Sequence, residues 1–328
     1  MPANLPPHYY EAEKRFREAK TSEGKIEALE EMLTIMPKHK GTDKLRADLR
    51  RRIGKLKDQA QQKKGGARRA ATFSIEREGA AQVLVVGAPN VGKSSLVACL
   101  SNACPEVAEF PHTTWKPTPG MAPFENIQFQ LVDTPAITLE RIDPGMTDLM
   151  RRADILVILV DLHADPLQQL EDTLKILEGL RIYPLGRPVP GDLPKMPFVK
   201  KILVAVNKVD EEGDEEDYRA FLELSEWKLP CVGISTRTSR NLGAFLRMVF
   251  DQAQIIRVYT KPGGKDPDMT APFILAKGAT IEDLAEKIHK DFRNKLKFAK
   301  VWGKGVFDGQ MVQRDYVLQD GDIAEIHL

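Results

Sequence analysis

Between Gln82 and about Gln254, short runs of Val, Ile and Leu alternate with amphipathic stretches. That is the pattern of a parallel sheet covered by helices on both faces. Val83–Val86, Ile127–Val132, Ile155–Val160, Ile202–Val206 and Cys231–Ile234 read as its strands. Upstream, the charged stretch from Tyr9 to about Lys64 carries Ile26, Leu29, Met32, Leu33 and Ile35, then Leu45, Leu49, Ile53 and Leu56, at helical spacing. Two helices are predicted there, with Pro37–Thr42 as the turn between them. Gln61–Arg69, QQKKGGARR, reads as a flexible basic linker. After Ile256 the pattern changes to a turn-rich strand segment, RVYTKPGGKDPDM, a helix over Thr280–Lys290, and short strands at Ala299–Trp302, Tyr316–Leu318 and Ile323–Ile326. The Pro- and Gly-crowded stretch from Tyr183 to Phe198 is expected to be an irregular surface connection. The chain therefore divides into a basic helical region with its linker, 1–75, an α/β domain, 80–255, and a small α+β module, 256–328.

Length and composition fit this division. At 328 residues and 36.8 kDa the chain exceeds one compact domain, and 42% hydrophobic with 29% charged residues is ordinary for a globular protein with a sizeable core. The net charge of +1 hides an excess of Lys and Arg between Lys38 and Arg69. Cys99, Cys104 and Cys231 have neither the count nor the spacing of a disulfide framework or zinc site, so a reducing compartment, the cytoplasm, is expected. The N-terminus lacks an apolar signal region, and the longest apolar run, Ile155–Val160, is too short to cross a bilayer, so no membrane partner is expected. The six histidines are scattered without metal-like spacing, and no Ser-His-Asp set is evident.

The chemistry lies at the strand ends. Gly87–Ser94, GAPNVGKS, matches G-x-x-x-x-G-K-[ST] between an apolar strand and the helical stretch Ser95–Leu100, the context of a phosphate-binding loop. Its glycines permit tight turns whose N–H groups face phosphate, Lys93 supplies a point charge, and Ser94 is a magnesium ligand. Nucleotide contacts are expected from Gly87, Ala88, Pro89, Asn90, Val91, Gly92, Lys93, Ser94 and Ser95. Asp133, in Asp133-Thr134-Pro135, emerges where Ile127–Val132 ends and can hold Mg²⁺ through water. Alone it would pass for a cap or turn residue. Asn207-Lys208-Val209-Asp210 follows another strand as N-K-x-D. Guanine offers N1–H and N2–H₂ as a donor pair that one carboxylate can accept, and adenine does not, so Asp210 selects GTP. Asn207 can brace the loop, and the stem of Lys208 can cover the base. Without the other motifs, N-K-x-D would be a surface turn. Ser235, Thr236 and Arg237 would place N–H groups near guanine O6. Thr113 and Thr114 are candidates for the switch threonine that meets Mg²⁺ and the γ-phosphate, with Thr114 favoured. An ST-turn would also account for them.

These elements, in this order, make Gln82–Gln254 similar to the translation-factor-like GTPases, and specifically to the Obg and developmentally regulated GTP-binding protein (DRG) families. The tail from Ile255 to Gly303 resembles the TGS domain that ends DRG proteins, a small β-grasp, ubiquitin-like module. The resemblance implies a P-loop NTPase G domain over 80–255, a TGS domain over 256–328, and a helical N-terminal segment. It implies a Mg²⁺-dependent hydrolase of GTP to GDP, associated with ribosomes or RNA, with the TGS domain as an RNA or protein contact and an accessory protein as a further partner. It also implies that Asn90 helps hold K⁺ near the phosphates, alongside Lys93 and Thr114 as catalytic groups. Three departures stand out. Ala136 replaces the Gly of D-x-P-G, which keeps the N–H but loses conformational freedom. Ile137 stands where Ras-like proteins place a water-orienting Gln, and this family is likewise hydrophobic there. The stretch Tyr183–Phe198 is short where DRG proteins carry an inserted domain. Hydrolysis is therefore expected to be slow unless a cation or partner assists, and a GTP/GDP-binding scaffold is the alternative. The basic run Leu45–Arg69 suits RNA phosphates or a solvated helix face. Lys295, Lys297, Lys300 and Lys304 around Phe298 and Trp302 suit RNA, although core packing also accounts for Trp302.

Overall fold

The computed structural model describes residues 7–19, 22–36, 46–54, 73, 75–101, 116–138, 142–263 and 266–328. Two compact units emerge, Met1–Ser74 and Ile75–Leu328. In the first, α1 (Pro7–Glu18), α2 (Ser22–Ile35) and α3 (46–54) pack through Tyr9, Ala12, Leu29, Met32, Met36, Leu49 and Ile53. The pattern predicted two helices here, and the structure adds α1. Its buried positions, Tyr9 and Ala12 with half-buried Phe16, are amphipathic or small and interleaved with charge, so they leave a weak apolar period. Pro37–Thr42 and Gln61–Arg69 lie outside the described residues, as does most of the basic run.

The second unit opens with the G domain: β1 (Gln82–Val86), α4 (Lys93–Leu100), β2 (Thr118–Phe124), β3 (Ile127–Asp133), α5 (Pro144–Arg152), β4 (Ile155–Asp161), α6 (Pro166–Gly179), β5 (Ile182–Pro184), β6 (Phe198–Asn207), α7 (Asp214–Leu224), β7 (Cys231–Gly233) and α8 (Leu242–Ala253). Among the described residues the sheet runs β2-β3-β1-β4-β6-β5, with β7 also on β6. Only the β2–β3 pair is antiparallel. Every residue of β1 and β4 is buried, as helices on both faces require. Packed between strands and α8 are Val83, Val85, Leu131, Val157, Leu203, Phe245 and Val249. The irregular connection expected over Tyr183–Phe198 is shorter than predicted. Ile182–Pro184 pairs in parallel with Phe198–Lys200, because Ile182 and Tyr183 are buried beside β6.

The C-terminal module follows α8 after one residue, Gln254, whose φ of 54° stops the helix. Its elements are β8 (Ile255–Thr260), β9 (Phe273–Ala276), α9 (Ile281–Ile288), α10 (Lys290–Lys295), β10 (Phe298–Trp302), β11 (Gln310–Val312) and β12 (Ile323–His327), in the order β11-β10-β12-β8-β9. A separate core forms from Ile256, Val258, Leu284, Leu296, Ala299, Val301 and Ala324. The strand predicted at Tyr316–Leu318 is instead one isolated bridge, Thr280 to Val317, and the edge strand beside β10 is Gln310–Val312. Turns at Arg314–Asp315 and Asp320–Gly321 leave too few residues between them for a ladder.

The two domains of this unit share a junction. Ile255 and Ile274 pack against the G-domain core. Arg257, only 12% exposed, donates to Asp320 (2.7 Å) within its own module and to Glu125 and Asn126 in the β2–β3 turn, with its guanidinium 4.9 Å from the Phe250 ring centroid. Asn126 also bonds the Tyr259 hydroxyl. No helix among the described residues is long and apolar enough to cross a membrane.

Candidate functional site

Strand register decides which motifs meet. Val85 pairs with Asp133 across β1–β3, and Asp161 pairs with Asn207 across β4–β6. Gly87–Gly92, Asp133, Asp161 and Asn207 therefore gather at the carboxyl ends of parallel strands, where α/β sheets leave a ligand crevice.

The loop Gly87–Ser94 turns through Gly87 (φ 151°), Asn90 (φ 62°) and Gly92 (φ 97°) into the first turn of α4. A Cβ on Gly92 would lie 2.3 Å from Asn207 Nδ2, so glycine is required for contact as well as conformation. Pro89 and Asn90 are exposed, Ala88 and Ser95 half-buried, and Val91 buried. Lys93 lies inside the loop, 8% exposed, its amine donating to Ala88 O (2.7 Å) and Gly87 O (3.2 Å). Burial pushes its ammonium down to about 8, and the Asp133 charge works in the opposite direction.

Ser94 Oγ stands 2.5 Å from Asp133 Oδ2. A hydroxyl and a carboxylate are hard oxygen donors, and with a lysine beside them they fit a phosphate-bound Mg²⁺. Next to Asp133, Thr134 donates to Val85 O (2.7 Å), which fixes the start of the D-T-P-A turn. Ala136 is half-buried. Ile137 is buried, with its amide 3.4 Å from Gly87 O, and its side chain offers no polar group at that position. Thr113 and Thr114 lie outside the described residues.

On the base side, Asn207 is 1% exposed and links two loops. Its Nδ2 donates to Val91 O (2.9 Å), and its Oδ1 accepts from Thr236 N–H (3.1 Å). Asp210 Oδ1 accepts from the Ser235 hydroxyl, and Asp210 Oδ2 pairs with Arg237 Nε at 2.9 Å. Lys208, at φ 69°, ion-pairs with Asp161. Of Ser235, Thr236 and Arg237, expected to offer amides near O6, Thr236 donates its N–H to Asn207 Oδ1 and Arg237 pairs with Asp210 through its side chain.

Three supporting residues escaped the sequence pattern. Asp161 ends β4 as Asp133 ends β3, an acid at the close of an apolar run, and that signal was available. Asp214 accepts from the amides of Asp210 and Glu211 (both 2.8 Å), hidden within the acidic run Glu211–Asp217. Cys99 Sγ reaches Thr236 O (3.3 Å), a contact that requires the fold.

Comparison with known proteins agrees with this geometry. Residues 82–185 match the family described as 50S ribosome-binding GTPase, and residues 256–328 match the TGS domain. An uncharacterised GTP-binding protein of Methanocaldococcus jannaschii is 29% identical, over 93% of this chain and 92% of its own length. Developmentally-regulated GTP-binding protein 1 of Xenopus laevis is 27% identical over 92% and 98%, and ribosome-interacting GTPase 1 of Saccharomyces cerevisiae 26% over 93% and 99%. The structure of the Schizosaccharomyces pombe YchF GTPase covers 77% of this chain and 99% of that one at a TM-score of 0.53 and 13% identity, a likeness of fold. A P-loop GTPase domain followed directly by a TGS domain, with relatives of the same extent, is consistent with the Obg/DRG-type family of TGS-containing GTPases.

Proposed function

We propose that the chain is a Mg²⁺-dependent GTP-binding switch that hydrolyses GTP to GDP and phosphate slowly, assisted by K⁺ or a partner, in association with ribosomes or RNA. The observation that carries it is the joining of phosphate loop and guanine-side loop through Asn207, between Val91 O and Thr236 N. Lys93 neutralises phosphate charge from within the loop, Ser94 and Asp133 supply oxygen ligands for Mg²⁺, and Asp210 reads guanine. When bound, Mg²⁺ withdraws charge from the β- and γ-phosphate oxygens. Thr114 and the cation-holding role of Asn90 belong to the same reading. The ribosomal link draws on the yeast relative's name and the family description. The basic N-terminal helices and the TGS domain supply the contacts, and the cytoplasm is the setting.

Buried Ile137 favours a second reading, a scaffold that binds GTP or GDP and scarcely turns over. Direct binding should show GDP preferred over ADP by orders of magnitude, and equal affinity would sink the guanine assignment. Multiple-turnover phosphate release with and without K⁺ and ribosomes then separates the two. Stimulation supports the switch, and background release in every condition supports the scaffold.

A further inference from the structure

The carboxylate that reads guanine is held by its own chain. Arg237, on the loop between β7 and α8, brings Nε to 2.9 Å from Asp210 Oδ2, while the Ser235 hydroxyl donates to Asp210 Oδ1. The two members differ in freedom: the Asp210 side chain is 15% exposed and the Arg237 side chain 67%. Asp210 is fixed from behind by the bond from its amide to Asp214, and the far end of Arg237 reaches the exposed Glu211 carboxylate at 4.0 Å. The pair can therefore open by movement of the arginine.

Guanine needs that opening. Its N1–H and N2–H₂ address a carboxylate as a two-hydrogen fork, one to each oxygen. The Ser235 hydroxyl can remain, because a carboxylate oxygen accepts more than one hydrogen bond. The guanidinium competes for the place, because it already donates to Oδ2, the oxygen that the second hydrogen of the fork needs, and its flat head with several donors is far bulkier beside the base edge than a hydroxyl.

The geometry points to Arg237 as an internal competitor for guanine, a latch on Asp210 that the base must displace on binding and that recaptures the carboxylate on release. This inference rests on the guanine assignment made above. Its strength follows from exposure. An ion pair with one member well solvated shifts an equilibrium by about two- to five-fold, and the apparent nucleotide affinity falls by the fraction of chains in which the pair is closed. Such a latch loosens the nucleotide and favours its exchange without preventing binding.

The test is equilibrium binding of fluorescent GDP to the full chain at low and high salt. Arg237→Ala should bind about two- to five-fold more tightly at low salt, with Arg237→Lys between it and the unaltered protein. High salt should close the gap by screening the pair. With Asp210→Asn, probed with xanthosine diphosphate whose 2-oxo group suits an amide, adding Arg237→Ala should change nothing, because a neutral amide does not hold the guanidinium. Unchanged or weaker GDP binding by Arg237→Ala overturns the inference while the guanine assignment stands, as does equal tightening in the Asp210→Asn background. Absence of GDP binding by the unaltered chain overturns both.

Discussion

Replacing Asn207 by Ala should loosen two loops at once. The amide donates to Val91 O and accepts from Thr236 N–H in a site where Asn207 is 1% exposed and Val91 is buried. A buried carbonyl that loses its donor costs about 1–3 kcal/mol, and the part-buried Thr236 amide about 1 kcal/mol, because water can reach it. The sum, about 2–4 kcal/mol, raises local opening by roughly thirty-fold to a thousand-fold. Hydrogen exchange followed by mass spectrometry on the nucleotide-free full chain would read this in peptides spanning 87–94 and 233–238. Both should exchange faster in Asn207→Ala, and GDP affinity should fall with them. Asn207→Asp keeps the acceptor for Thr236 N–H but turns a carboxylate toward Val91 O. It should therefore speed exchange in the phosphate loop far more than in 233–238. Exchange within about three-fold of the unaltered protein in both peptides of Asn207→Ala would refute the bridging role.

Three further outcomes follow from charge. Since burial holds the Lys93 ammonium at about 8 and phosphate binds only its protonated form, GDP affinity should drop about four-fold between pH 7 and 8.5. The nucleotide-free fold moves the other way, gaining stability from about 8 up to the ordinary 10.5, because across that window the unfolded chain keeps a proton that the folded one has released. A pH series with Lys93→Met as the flat control checks both signs. Arg257→Ala removes a donor shared by Glu125, Asn126 and Asp320. With those acids 49% and 34% exposed, the loss should be about 1–2 kcal/mol in urea unfolding, and an unchanged midpoint would count against the junction.

What could be seen in the sequence was whatever a strand writes along itself. β1, β3, β4 and β6 were legible because β1 and β4 are buried throughout and Phe129–Asp133 and Ile202–Asn207 are buried as well, and Gly87, Asp133 and Asn207 at their ends marked the crevice. β2 was not, because Thr118–Phe124 carries Pro119 and Pro123. As an edge strand beside β3 it can leave those two positions without a ladder donor. β11 was hidden because its middle residue, Met311, faces solvent while the more apolar Tyr316–Leu318 sits between two turns. The Arg237–Asp210 and Arg257–Glu125 pairs join residues far apart in the chain, and no local pattern encodes such meetings.

The β2–β3 hairpin has a mechanical consequence. It is paired without interruption from Thr118↔Asp133 to Phe124↔Ile127, seven residues or roughly 20 Å of strand. A ribbon in register along its whole length resists shear, so it behaves as a handle rather than a tether. One end of that handle is the carboxylate beside Ser94. The other is gripped by Arg257 and Tyr259. Whatever takes hold of the TGS domain thereby also takes hold of the strand that ends in Asp133, some two nanometres from the point of contact.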